Sequence, residues 1–133
     1  MGGAWIWKKY KKVGKMENFT DVKLEIFVPR EYAFKIRDEL SKIGVGRIGS
    51  YDHCVAISAV QGYYRPLPGA DPFEGEIGKI SETVEHKIEV NCGRELVNEA
   101  IKVIRNFHPY EEPLVNVIPL ANHLFEMRDM TAQ

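Results

Sequence analysis

The sequence predicts an α+β domain in which an antiparallel sheet carries two helices on one of its faces. Near the start of the domain, apolar residues alternate with polar or mixed neighbours, which is the pattern of a half-buried strand. Two later segments place apolar residues at helical spacing, and a strand-like run follows each of them. The chain has 133 residues, 44% of them hydrophobic, which suffices for one core and is too little for two ordinary ones.

The first three elements follow from local patterns. A strand is predicted over residues 22–28, and Pro29 ends it. The helix after it has an apolar stripe and a glycine stop, formed by Ala33, Ile36, Leu40, Ile43 and Gly44. A second strand is predicted over residues 51–61.

The second half of the domain repeats the pattern after a loop rich in glycine and proline. A third strand is predicted over residues 80–91, with Val84, Ile88 and Val90 on one face. The helix predicted over residues 93–107 has an inward stripe of Leu96, Ala100, Val103 and Phe107. A last strand over residues 114–120 completes the order βαββαβ, which is the ferredoxin-like arrangement.

The segment FHPYEEP, residues 107–113, is the most informative motif of the chain. Pro109 disfavours the helical conformation at His108, and Pro113 favours an extended Glu112. An imidazole and two adjacent carboxylates are therefore presented by a stiff turn. His108, Glu111 and Glu112 are candidate ligands of a divalent ion, with Zn²⁺ or Mn²⁺ favoured by the ligand types. The alternative is a rigid connection with solvated glutamates and a histidine bonded to the backbone.

The predicted order of elements places this turn and the long loop at the same end of the sheet. Tyr64, Arg65 and Asp71, together with Tyr110 of the turn, are therefore the predicted ligand-binding residues. The stretch 52–54, Asp-His-Cys, is expected at the opposite end.

Three other reactive side chains are expected to be structural. His86 shares a face with apolar neighbours and is predicted to be a hydrogen-bonded core histidine. Cys54 and Cys92 are predicted to be two buried, reduced thiols, because two cysteines without a CxxC pair encode neither a disulfide framework nor a four-cysteine zinc site.

Three motifs carry a resemblance to a known family. HPYEEP followed by an apolar strand, the glycine-rich residues 44–54, and the loop 69–78 resemble, in the same order, the domain inserted in many Ngg-interacting-factor-three-like (YqfO-type) proteins. The resemblance covers residues 20–120. It implies a stand-alone version of that inserted domain, with a PII/CutA-like fold, and not the two-metal chemistry of the parent family's flanking domains.

Charge and hydropathy limit the classes of partner. Residues 1–16 contain five lysines and no acidic residue, so the rest of the chain, whose total net charge is −1, is acidic. We therefore expect no nucleic-acid binding. The short apolar run at the start precedes its lysines and is too short for a membrane span, so we expect neither export nor a membrane, and predict a cytoplasmic protein. Residues 1–19 are predicted to be a basic leader that is flexible or not native to the protein, and residues 121–133 a tail or short helix.

The sheet face without helices is predicted to be apolar and therefore covered. The residues assigned to it are Phe27, Cys54, Ala56, Ser58, Val60, Val115 and Val117. Association between chains would cover such a patch. The resemblance to PII and CutA proteins implies a homotrimer, and a dimer is the alternative.

The leading hypothesis is a small oligomeric binding or regulatory module that holds a divalent metal ion or a small metabolite near the HPYEEP turn. No catalytic residue is assigned. The alternatives are a metal-dependent hydrolase, similar to a GTP cyclohydrolase, that uses His108, Glu111 and Glu112, and an accessory subunit that binds a protein partner.

Overall fold

A computed structural model describes residues 18–125 and confirms the predicted α+β, ferredoxin-like fold. The elements in chain order are β1 (Asp21–Val28), α1 (Arg30–Lys42), β2 (Val55–Tyr64), β3 (Ser81–Gly93), α2 (Val97–Phe107) and β4 (Leu114–Pro119), with single 3₁₀ turns at Arg94–Leu96 and Asn122–Leu124. The predicted leader lies mostly outside the described residues. None of the helices within residues 18–125 has the length and apolar character needed to cross a membrane.

The four strands form one sheet in the order β2-β3-β1-β4, and all neighbouring strands are antiparallel. β1 is therefore a central strand that pairs with both β3 and β4. The hairpin of β2 and β3 is the longest pairing, running from Val55 opposite Val90 to Tyr64 opposite Ser81.

The core lies between the sheet and the two helices. Alternate residues of β1 are fully buried, as the period of two predicts. The buried residues of α1 that pack on this side of the sheet are Ala33, Ile36 and Leu40, and those of α2 are Ala100 and Ile104. Removing this apolar surface from water contributes about 25 cal/mol per Å² to stability.

The other face of the sheet differs from the prediction. Val115 pairs with Ile26 and Val117 with Leu24, so both valines lie on the helix side. The prediction that they belong to the open face is wrong, because Leu114, Asn116 and Ile118 of β4 lie there instead.

Charged residues also lie on the open face. Lys23 of β1 forms an ion pair with Glu89 of β3, and Lys87 is 3.9 Å from the same carboxylate. The hydrogen bond with Lys23 lowers the pKa of Glu89. The face is therefore mixed in polarity, and its apolar residues are concentrated near one end.

The cysteines and His86 depart in part from their predicted environments. Cys92 is buried, and burial raises the pKa of its thiol to about 11, but Cys54 is only half-buried. His86 is half-buried with a buried Nδ1 that has no hydrogen-bond partner, so the prediction of a satisfied core histidine is wrong. Phe19, which the sequence placed in the leader, packs against the core under the guanidinium of Arg94.

Candidate functional site

The HPYEEP motif forms the connection between α2 and β4. The helix ends at Phe107, and His108 has φ −86° and ψ 131°, the extended conformation that a following proline favours. Residues 109–113 then lead directly into β4 at Leu114. The motif is thus a short, defined turn at the end of the sheet where the long loop between β2 and β3 also lies.

His108 is buried beneath this turn, and both of its ring nitrogens are engaged. The Nε2–H group donates to the carbonyl oxygen of Phe27 at 2.6 Å, and Nδ1 accepts the N–H of Tyr110 at 3.1 Å. These partners require the neutral ring with its proton on Nε2, because a carbonyl can only accept and an amide N–H can only donate. Burial lowers the pKa of His108, although the bond to Phe27 opposes the shift.

The three predicted metal ligands are not arranged as a ligand set. The imidazole of His108 could bind an ion only by giving up one of its two hydrogen bonds. Glu111 and Glu112 are exposed, and Glu111 Oε1 accepts the backbone N–H of Asp71 at 3.2 Å. Within residues 18–125, no group of three or more His, Cys, Asp or Glu side chains is placed to hold a metal ion.

A cavity of about 440 Å³ lies between the turn, the long loop and the open face of the sheet. This volume is within the range of about 300 to 1,000 Å³ that is typical of small-molecule pockets. The residues that line it are Phe27, Tyr63, Tyr64, Arg65, Pro66, Leu67, Ala70, Pro72, Phe73, Glu74, Glu85, Tyr110, Glu111, Glu112 and Leu114.

The structure brings most of the predicted site residues to this cavity. Tyr64, Arg65 and Tyr110 line it. Asp71 is not among the lining residues, but its backbone N–H holds Glu111 at the rim. His108 lies behind the wall, where it positions the turn.

Aromatic rings form much of the cavity wall, and Tyr110 is at their centre. Its ring centroid lies 6.3 Å from that of Tyr64, 6.1 Å from Phe73 and 4.9 Å from His108. Phe73 in turn meets Tyr32 of α1 edge to face at 6.1 Å. Such tilted and edge-on pairs each add about 0.5 to 1.5 kcal/mol beyond the area that they bury.

Among the described residues that line the cavity, Glu85 is the one buried acidic side chain, with 9% of its surface exposed. It pairs with Val60 on the open face of the sheet, and its carboxylate extends over Gly62. A Cβ atom at Gly62 would collide with Glu85 Oε1, so any other residue there would make the carboxylate turn away from this position. Burial raises the pKa of Tyr110, and the charge of Glu85 and its hydrogen bond with the Tyr110 hydroxyl raise it further.

The long loop is tied to the rest of the site. The Tyr64 hydroxyl donates to the carbonyl of Glu74 at 2.8 Å, and the N–H of Gly78 bonds the carbonyl of Pro66 at 2.7 Å. Gly75 has φ +99°, and a Cβ there would lie 2.6 Å from Ser81 Oγ and 3.3 Å from the Tyr64 ring. A glycine is needed at this position for both reasons.

Sequence reasoning missed Glu85, Phe73 and Phe27 as site residues. Glu85 sits between Val84 and His86 in a strand whose polar side would ordinarily be solvated. The one sequence feature that indicates Glu85 is an acidic residue in a strand that pairs with a strand containing a glycine. This feature can be recognised only when the register of β2 and β3 is known.

Comparison with known proteins identifies the type of domain. No protein-family model matches the chain. A GTP cyclohydrolase 1 type 2 homolog of Bacillus subtilis is 36% identical over 98 residues, which are 74% of this chain and 26% of that protein. The corresponding homolog of Halalkalibacterium halodurans is 36% identical over 100 residues, 75% of this chain and 27% of that protein. The chain thus spans about a quarter of the length of these relatives.

The solved structure of a Bacillus cereus protein related to NIF3 gives the same result in three dimensions. It superposes with a TM-score of 0.69 and 33% identity, over 78% of this chain and 26% of that protein. The chain is therefore similar to one domain of these NIF3-related proteins. The predicted resemblance to Ngg-interacting-factor-three-like proteins is thereby confirmed.

The fold of this NIF3-related domain is shared more widely. The divalent cation tolerance protein CutA of Archaeoglobus fulgidus superposes with a TM-score of 0.59 and 20% identity, over 77% of this chain and 85% of that protein. Identity this low supports the fold alone. The cavity must therefore be interpreted from the NIF3-related domain's own residues.

Proposed function

We propose that this NIF3-related domain is a binding module that holds a small molecule in the cavity between the HPYEEP turn and the long loop. The observation that carries the proposal is the cavity itself, whose wall combines an aromatic cluster around Tyr110 with the buried carboxylate of Glu85. Ligand sites are typically apolar and aromatic concavities with a few well-placed polar groups.

The position of Glu85 supports this role. Taking a carboxylate out of water is unfavourable unless it is hydrogen-bonded or paired. Tyr110 supplies one donor, while an ionised carboxylate has about four lone-pair sites. A ligand with hydrogen-bond donors would use the remaining acceptor sites that face the cavity.

Native mass spectrometry of protein purified without denaturation tests the proposal. We expect a small molecule to co-purify with the protein, or some members of a metabolite library to stabilise it. Phe73→Ala should weaken this binding strongly. Phe34→Ala is the matched control, because Phe34 is 62% exposed on α1 and does not line the cavity. Equal binding by the two variants would place the ligand elsewhere.

A divalent cation at the rim is the second candidate. Four carboxylates line one cavity, and Glu111 and Glu112 are adjacent and exposed there. The neighbours named divalent cation tolerance proteins share the fold. Calorimetric titration with Zn²⁺ and Mn²⁺ tests this candidate: a rim site would be weakened by Glu112→Gln and unchanged by Glu99→Gln, since Glu99 is exposed on α2 and does not line the cavity. Absence of binding at millimolar concentrations of both metal ions would rule out the divalent-cation site.

Self-association is part of the proposed function. Phe27, Val60, Leu114 and Ile118 lie on the open face of the sheet, and Leu114 is 55% exposed in the single chain. We propose that chains associate to cover these residues, as a trimer in the first instance and a dimer in the second, and a different protein partner is the remaining alternative.

Hydrolase activity remains the alternative prediction. The name GTP cyclohydrolase 1 type 2 homolog applies to relatives of which this chain spans 26% or 27%. Assay of the purified protein for GTP consumption tests it directly.

A further inference from the structure

We infer that the ligand of this cavity is an organic cation, in which an ammonium or amidinium group is attached to a flat apolar body. This inference rests on the proposed function, because it assigns a chemical class to the molecule that the cavity holds. It follows from the burial of Glu85, the arrangement of aromatic rings and the distribution of charge around the cavity.

The buried carboxylate supplies the anchoring charge. Glu85 lines the cavity with 9% of its surface exposed, so water screens its charge less than the charges of the exposed carboxylates that also line the cavity. The negative charge is felt at Tyr110, whose pKa it helps to raise. A cation that donates hydrogen bonds to Glu85 would neutralise the charge and fill acceptor sites that Tyr110 leaves open.

The rings next to Glu85 suit the same ligand. The Tyr110 ring is tilted by 47° to the ring of Tyr64 and by 49° to that of Phe73, so these faces are not closed against one another by parallel stacking. The face of an aromatic ring attracts a cation within about 6 Å of its centroid, most strongly where water is excluded. The rings also offer apolar contact to a flat body attached to the cation.

The remaining charges disfavour an anion. Glu74, Glu111 and Glu112 line the cavity together with Glu85, and Arg65 is the one basic residue among the lining side chains in the described part of the chain. Arg65, Glu111 and Glu112 are less buried than Glu85, so solvent screens their charges more effectively. A phosphate or carboxylate ligand would therefore face the least screened charge with the same sign as its own.

Three probes of similar shape and different charge test the inference: benzamidine, which is a cation at pH 7, neutral benzamide and anionic benzoate. Binding is followed with the full chain by ¹⁵N chemical-shift perturbation, which also reports where each probe binds. We expect benzamidine to shift the amides of Tyr110 and Glu85 and to bind at least tenfold more tightly than benzamide, while benzoate causes no saturable shift there.

Variants connect this preference to Glu85. Glu85→Gln should reduce the preference for benzamidine over benzamide to less than about threefold, because it removes the charge and keeps the shape. Glu99→Gln, at an exposed position of α2, is the matched control and should leave the preference unchanged. If Glu85→Gln folds poorly, Arg65→Gln gives a second measurement, in which benzamidine should bind as tightly as before or more tightly.

The outcomes separate this inference from the proposed function. Equal binding of benzamide and benzamidine at the cavity would contradict the inference of a cationic ligand but would leave the proposed small-molecule site in place. Preferential binding of benzoate would overturn it too, and would make Arg65 the anchoring charge. Shifts confined to residues outside the cavity, or no shift with any probe at tens of millimolar, would count against both.

Discussion

His108 and Phe27, 81 residues apart in the sequence, are joined by a hydrogen bond of 2.6 Å from the imidazole Nε2–H to the main-chain carbonyl. Because Nδ1 of the same ring accepts the N–H of Tyr110, the imidazole links the end of the central strand β1 to the turn that carries the cavity's central ring. The histidine thus acts through two backbone bonds, and its neutral form is the one that makes both.

His108→Ala should lower the free energy of unfolding by about 2 to 4 kcal/mol, because it leaves a carbonyl and an amide unpaired and removes a buried ring. Urea denaturation followed by circular dichroism measures this. His123→Ala, at an exposed position in the last 3₁₀ turn, is the control and should change stability by less than about 0.5 kcal/mol. A loss below about 1 kcal/mol for His108→Ala would contradict the linking role.

The depressed pKa of His108 also predicts a pH dependence. In the folded protein burial disfavours the imidazolium, so below the unfolded-state value of about 6.5 the unfolded chain binds the proton more readily. The contribution of His108 is thus fully present above that pH and falls with decreasing pH until the folded-state pKa is passed. Subtracting the urea midpoints of His108→Gln from those of the wild type between pH 8 and 4.5 isolates the effect, and parallel curves would disprove it.

Gly62→Ala should destabilise the fold by about 0.5 to 1 kcal/mol, because the new methyl group would force the flexible carboxylate end of Glu85 to turn away. If the collision is the cause, the double variant Gly62→Ala with Glu85→Ala should lose less than the sum of the two single variants. Additive losses would show that the glycine is needed for some other reason.

Tyr110→Phe should lower stability by about 1 to 3 kcal/mol, because Glu85 would lose a hydrogen-bond donor in a buried position. Tyr51→Phe is the matched control, since Tyr51 is 75% exposed and lies outside the cavity lining. Thermal unfolding of both variants in the same buffer gives the comparison. Equal melting temperatures would mean that Glu85 does not depend on this hydroxyl.

Val60→Asp should reduce self-association if the open face of the sheet forms the interface between chains. The control is Ala59→Asp at the neighbouring position. It places the same charge on the opposite face of β2, where Ala59 pairs with His86. Sedimentation velocity at micromolar concentration should show the wild type and Ala59→Asp associated and Val60→Asp dissociated. A monomeric wild type would contradict the proposed assembly.

The sequence was sufficient to predict the elements that have a clear hydrophobic period. It was insufficient to assign the buried face of a strand that has apolar residues on both sides. β1 alternates apolar residues with Asp21, Lys23 and Glu25 over most of its length, so its buried side could be assigned correctly. β4 has apolar residues on both sides, and Val115 and Val117 were placed on the wrong face because only the pairing with β1 decides it. The sequence predicted correctly that the turn and the loop share one end of the sheet.

The detailed chemistry of the site depends on partners that are distant in sequence. The partner of His108 Nε2 is a main-chain carbonyl of β1, which no side-chain pattern reveals. The burial of Glu85 depends on Gly62 in the neighbouring strand and on Tyr110 in a different connection. These relationships are set by register and packing, so residue types alone could not show that both ring nitrogens of His108 are bonded to the backbone.

A loop as long as the one between β2 and β3 is ordinarily where proteases cut first and where binding must first create order. This loop is instead held by the Tyr64 hydroxyl, the Gly78 amide and the contact between Asp71 and Glu111. It forms a fixed wall and not a lid. A molecule that enters would meet a shape already in place, so little of its interaction free energy would be lost to ordering the chain.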